Sequence, residues 1–232
     1  MLNSLELTGR ASTHVTGVPE LAATLHNEAA QAALALREAA RVDGLELEVV
    51  SSYRDFARQE AIWNGKYQGE RPLLDREERE VDIATLDERG IVDTILLWSA
   101  LPGASRHHWG SDMDVVDRSA VGAEYRPRLT ASEFAGEGPF TRLNDWLGAN
   151  VHRFGFFRPY TKDRGGVQPE PWHLSYAPVA VPALHALTPE VLMEAIATSN
   201  MHGREHVLAR LPELHARFVR AVSSPKTGTR PS

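Results

Sequence analysis

Ser105-Arg106-His107-His108-Trp109-Gly110-Ser111-Asp112-Met113-Asp114 is the stretch whose reading decides the rest. Its first half is a polar turn that follows Pro102 and Gly103. Its second half opens DMDVVD, whose alternation predicts a short strand. An imidazole in the turn and a carboxylate seven positions later, inside the strand, can converge on one point because the chain bends between them.

A second motif, Glu170-Pro171-Trp172-His173, adds another imidazole and a carboxylate three residues before it, on a segment that Pro171 keeps out of a helix. Two nitrogens and one oxygen are then available to one ion. Three protein ligands with a fourth position left for water is the arrangement of catalytic zinc, and Glu170 is the spare carboxylate able to take the water's proton. With ten histidines in the chain a lone His carries little information, so the weight rests on the joint arrangement. Asp112 and Asp114 share a strand face, so spacing does not separate them as ligands, and His108 stands as a rival beside His107.

Upstream, LELEVVSSYR alternates and then runs apolar, the pattern of a strand that enters the core and delivers Ser51 to Arg54 at its end. Asp55 is placed to cap a helix reaching about Trp63.

Ser-x-His-x-x-Gly-x-x-x-Asp followed by Glu-Pro-Trp-His, with Ser51-Ser52-Tyr53-Arg54-Asp55-Phe56-Ala57-Arg58-Gln59 before them, closely resembles the VanY-like zinc D-Ala-D-Ala carboxypeptidases and their dipeptidase and L,D-carboxypeptidase relatives. The resemblance runs from about Val49 to Tyr176. It implies one Zn²⁺ held by His107, Asp114 and His173, with Glu170 as general base and Arg54 meeting the free carboxylate of a peptidoglycan-derived peptide. Arginine suits that task, because its planar fork matches a carboxylate. Ser105 and Gln59 fall on motif positions that could orient the substrate or brace the site, and the Tyr53 hydroxyl could brace it from behind. Motif position favours Asp114 over Asp112. Ser52 replaces a usual glycine and Asp112 a common alanine; neither change removes an implied ligand. D,D- and L,D-carboxypeptidase action both fit, and a lysin-type endopeptidase or a non-catalytic zinc module are the alternatives. The implied fold is α+β, a small antiparallel sheet with packed helices, as in the hedgehog and D-Ala-D-Ala peptidase group.

Elsewhere, apolar spacing predicts a helix from Pro19 to Arg41, and further helices near 88–100, 141–154, 189–197 and 204–222, with a short strand at 155–157. Residues 66–87 are charged and lack a regular apolar period, so they read as a surface insertion that covers or borders a cleft. One domain is expected over 1–222, followed by a polar, disordered tail at 223–232. Trp109 and Trp172 read as packing beside the ligands, and the other histidines as solvated or structural.

The absence of cysteine excludes thiolate nucleophiles and Cys-type zinc sites. A net charge of −6 with scattered Lys and Arg argues against a nucleic-acid partner. No apolar run of membrane-spanning length and no secretory pattern at the start lead to the expectation of a cytoplasmic protein without a membrane partner, or a periplasmic one if the start is truncated. No oligomeric state is specified.

Overall fold

The computed structural model describes residues 1–225. Its centre is a four-stranded antiparallel sheet in the order β3 (Leu47–Ser51), β6 (Asp112–Asp117), β8 (His173–Tyr176), β7 (Phe156–Phe157). Two-stranded pairs lie outside it: β1 (Val15–Val18) with β2 (Ala23–His26), and β4 (Leu73–Leu74) with β5 (Glu80–Val81). The α+β expectation therefore holds, and each motif strand lies in the central sheet.

Alternation along β6 divides its residues between two environments. Met113 and Val115, with Leu174 of β8, enter a core built with Leu36 from α2 (Asn27–Val42) and Leu143 and Leu147 from α5 (Thr141–Asn150). Asp112 and Asp114 project the other way. A second core gathers Trp63 of α3 (Phe56–Tyr67), Ile95 of α4 (Glu88–Ile95), Trp109, and Leu192 and Ile196 of α7 (Pro189–Ala197). Asp55 caps α3 as expected, its side chain accepting from Arg58 N at 2.7 Å. No single helix among the described residues is long and apolar enough to cross a membrane.

The structure corrects several expected boundaries. The helix expected from Pro19 starts only at Asn27. Pro19–Leu21 form one 3₁₀ turn, Ala22 is left-handed (φ 48°), and β2 pairs with β1. Leu21 and Leu25 have helical spacing, but their burial is achieved by a hairpin, so tertiary pairing overrides the period. The expected 204–222 helix is broken into α8 (Arg204–Ala209), α9 (Leu211–Leu214) and a π turn at His215–Val219, with Pro212 at the start of α9 unable to continue the preceding ladder. The 88–100 helix stops at Ile95, and the last residues of 141–154 form a 3₁₀ turn. Ser223, assigned to the polar tail, is buried, and its N–H donates to the Pro159 carbonyl at 2.8 Å; residues 226–232 of that tail lie outside the described residues.

The β1–β2 hairpin clamps the motif turn. The Gly110 carbonyl accepts from His26 N (2.8 Å), and the His108 carbonyl from His14 Nε2 (2.9 Å). Gly110 is left-handed (φ 64°), and a Cβ there would meet Val15 Cγ1 at 2.5 Å and His26 N at 2.7 Å. Gly110→Ala is therefore expected to destabilise the fold by roughly 2–4 kcal/mol. Urea titration of both variants checks this: Gly122→Ala, where a Cβ meets nothing within 4 Å, should shift the denaturation midpoint little.

Candidate active site

Pairing of β6 with β8 sets Asp114 opposite His173, so the two side chains leave the sheet on one face. The 3₁₀ turn Arg106–Trp109 delivers His107 to the same point. One potential ligand atom from each of His107, Asp114 and His173 lies within 4.8 Å of the other two, and all three residues are buried. On the far side of β6 the register with β3 slips between Val49 and Ser51, a bulge that bends the strand end bearing Ser51 to Arg54.

Hydrogen bonds orient each imidazole. His107 Nδ1 donates to the Ser52 carbonyl (2.9 Å), leaving the Nε2 lone pair facing Asp114 Oδ2 at 3.4 Å. His173 Nε2 donates to Asp112 Oδ1 (2.8 Å), leaving Nδ1 towards Asp114 Oδ1 at 3.2 Å and Glu170 Oε2 at 3.1 Å. Asp114 Oδ1 is buried without a hydrogen-bond partner. Two imidazole lone pairs and an orphaned carboxylate oxygen fit a zinc ion by both donor type and convergence.

The rivals left open by spacing are separated here. Asp112 is fully buried behind His173, paired with Arg106 Nε at 2.8 Å and accepting from the Ser111 and Ser175 hydroxyls. Burial raises its pKa, but Arg106 and His173 outweigh that and hold it at about 2. It is a buttress for the His173 ring, occupied on both oxygens. His108 is equally committed: Nδ1 donates to the Arg54 carbonyl (2.6 Å) and Nε2 accepts from Gly103 N (3.1 Å). Burial pushes its pKa down to about 3, so the ring is neutral with no free lone pair.

Charge at the convergent groups is held by their neighbours. Burial raises the Asp114 pKa, yet His107 and then His173 overcome it and keep the carboxyl well below its usual range. For His173 burial favours the neutral ring, but the surrounding carboxylates of Asp112, Asp114 and Glu170 raise its pKa well above the ordinary value.

Beside this cluster lies a cleft of about 320 Å³, lined by His107, Asp114, His173, Glu170, Arg54 and Ser105, among others. Gln59 is buried behind Arg54: its Oε1 accepts from Arg54 Nη1 (2.6 Å), and its Nε2 is anchored on the Ala100 carbonyl (2.8 Å). Tyr53 is not brought into the cleft. Its ring lies edge-on to His14, and its hydroxyl reaches only the Ala11 carbonyl at 3.4 Å.

Three cleft residues escaped the sequence reading. Arg106 carries the pairing with Asp112 and lies over the Trp109 ring at 4.8 Å. Tyr160 stacks edge-on to His173 at 5.1 Å, with burial raising its hydroxyl to about 12. Lys66 lines the cleft from α3. Only Lys66 had a usable signal, its spacing of two helical turns from Gln59.

Residues 22–179 match the sequence model of the VanY D-alanyl-D-alanine carboxypeptidases. The chain belongs to the VanY family. Membership supports carboxypeptidase activity. An uncharacterised protein of Haemophilus influenzae is 30% identical over 121 residues, covering 51% of this chain and 92% of that protein. A D-alanyl-D-alanine carboxypeptidase of Enterococcus faecalis is 31% identical over 144 residues, which are 61% of this chain but only 44% of the relative. Two solved VanY structures share the fold. The D,D-pentapeptidase VanY mutant from a VanB-type resistance cassette, in complex with Zn(II), has a TM-score of 0.51 and 23% identity over 78% of this chain and 90% of that one. VanYB in complex with D-alanine-D-alanine has a TM-score of 0.51 and 22% identity over 82% and 92%.

This geometry separates ligand from buttress. Asp114→Ala should abolish zinc binding, whereas Asp112→Asn should weaken it roughly 10–100-fold. Competition with a chromogenic chelator, on variants whose circular dichroism confirms folding, reads both; equal losses would reject the assignment.

Proposed function

We propose that this VanY-family chain is a zinc-dependent carboxypeptidase that hydrolyses the peptide bond to a C-terminal D-alanine in peptidoglycan-derived peptides. The observation that carries the reading is the convergence of His107, Asp114 and His173 beside Glu170, in a cleft that also presents Arg54. The solved relatives bound to Zn(II) and to D-alanine-D-alanine support the choice of ion and substrate class.

When bound, zinc supplies Lewis acidity that polarises the scissile carbonyl and the attacking water. The chain's own groups do the rest. Arg54, braced by Gln59 and by Ser51 Oγ (3.2 Å), offers its remaining N–H groups to the terminal carboxylate and so sets the scissile bond at a fixed distance from the chain end. Glu170 takes the water's proton during attack and returns it to the leaving amine. The N–H of Glu170 donates to the Tyr160 carbonyl (2.9 Å), which fixes the base's backbone, while His173 Nδ1 lies 3.1 Å from its carboxylate. The Ser105 hydroxyl lines the same cleft and is placed to orient the substrate.

Mass spectrometry of purified tetrapeptide and pentapeptide muropeptides is the test. The zinc-loaded protein should release one alanine, chelation should stop the release, and Glu170→Ala should lower kcat by roughly 10²–10⁴-fold. Release from the tetrapeptide alone assigns L,D-carboxypeptidase action, and release from the pentapeptide alone assigns D,D action. If neither peptide loses alanine in a Glu170-dependent way, the carboxypeptidase reading fails and a lysin-type endopeptidase or a non-catalytic zinc module takes its place.

A further inference from the structure

Lys66 lies seven residues after Gln59 on α3, two helical turns along the same face, about 10 Å at 1.5 Å per residue. Helical side chains lean towards the N-terminus, so the Lys66 stem points back towards Gln59 and the Arg54 that Gln59 holds. The residue is half-buried and lines the cleft with Arg54 and Glu170.

What sets this ammonium apart is that, among the described residues, no carboxylate pairs with it at contact distance. Among the described residues neither Arg54, Lys66 nor Arg71 takes part in an ion pair, although the molecule has many. Arg71 is tied to α3 by its backbone, donating to the Gly65 carbonyl at 3.0 Å. Arg71 is exposed and does not line the cleft, but its charge bears on both Arg54 and Lys66, which do. Burial pushes the Lys66 pKa down to about 8; Glu170, the strongest of the charges acting on it, pulls the other way from beyond ion-pair distance, and Arg71 and Arg54 add to the lowering. A partly desolvated cation kept without a partner costs stability, and an anion arriving in the cleft removes that cost.

We infer that Lys66 is a second substrate-recognition residue, sharing with Arg54 the terminal carboxylate of the peptide that is cut. This rests on the carboxypeptidase reading and deepens it. Arg54 already spends Nη1 on Gln59 and Nη2 on Ser51, so it cannot satisfy all the lone pairs of a carboxylate alone; the mobile three-donor ammonium of Lys66 answers the rest.

The test compares the zinc-loaded parent with Lys66→Met and Lys66→Arg on whichever muropeptide the parent cleaves. Lys66→Met should raise KM roughly tenfold or more with kcat changed less than about twofold, and Lys66→Arg should recover most of the loss. An unchanged KM in Lys66→Met overturns the proposal. Calorimetry with N-acetyl-D-alanyl-D-alanine and its C-terminal amide, in a Glu170→Gln background, reads the contact without turnover. Lys66→Met should weaken the acid roughly tenfold and leave the amide unaffected. Equal effects on acid and amide, or none on either, overturn the proposal even if the parent cleaves both muropeptides. If the parent cleaves neither muropeptide but the acid-specific loss persists, the activity reading fails and Lys66 stands as a carboxylate contact. A melting temperature for Lys66→Met close to the parent's excludes misfolding as the cause.

Discussion

The pairing of β6 with β8 is the constraint on which the site depends. Because Asp114 and His173 are directly opposed, a slip of one residue would turn one of them into the apolar core beside Met113. The ion pair between Arg106 and Asp112 reinforces this register from behind, since Asp112 bridges the motif turn to both His173 and Ser175 of β8. Burying two charges for this purpose is expensive, and the expense is offset only because Asp112 is saturated with donors and Arg106 lies against Trp109 and Phe157. The return is orientational: a ring whose Nε2–H is engaged must present Nδ1.

Much of the site was legible because its convergent side chains lie in short motifs whose turn and strand character is local. His107, Asp114 and His173 do converge, with Glu170 beside His173. The choice between Asp112 and Asp114 was different in kind. Both lie on one strand face, and what tells them apart is Arg106, a contact made only when the turn folds back on the strand. The neutrality of His108 is equally non-local, fixed by the Arg54 carbonyl and the Gly103 N–H. For Tyr53 the sequence offered a hydroxyl bracing the site from behind, but that hydroxyl reaches the Ala11 carbonyl and the ring lies against His14, contacts with residues some forty positions earlier.

The fold showed the same division. Strands β3 and β6 and the capped start of α3 follow from alternation and a capping aspartate. The turn and second strand of the hairpin were read as helix because Leu21 and Leu25, four apart, suit both structures, and only pairing with β1 decides. Residues 66 and 67 complete α3, which runs past its expected end near Trp63, and the rest of the 66–87 stretch had no period to read because its order comes from long-range ties. Trp98 Nε1 donates to the Asp75 carbonyl (3.0 Å), Ala131 N to Glu78 Oε1 (2.6 Å), and Arg76 pairs with Asp163. These ties place Leu74 and Glu78 in the cleft wall, so the segment borders the cleft as its composition suggested.

The clamp that the N-terminal hairpin places on the motif turn bears on the order of assembly. The turn is held by His14 and His26, near the beginning of the chain, while the last of its convergent side chains, His173, arrives far later. Contacts separated so widely in sequence form slowly, because the intervening loops must close before any of them is rewarded. During synthesis, the complete three-residue cluster therefore cannot form until β8 has emerged and joined the sheet. An ion captured by that cluster would act as a latch on a nearly finished molecule, not as a seed for its folding.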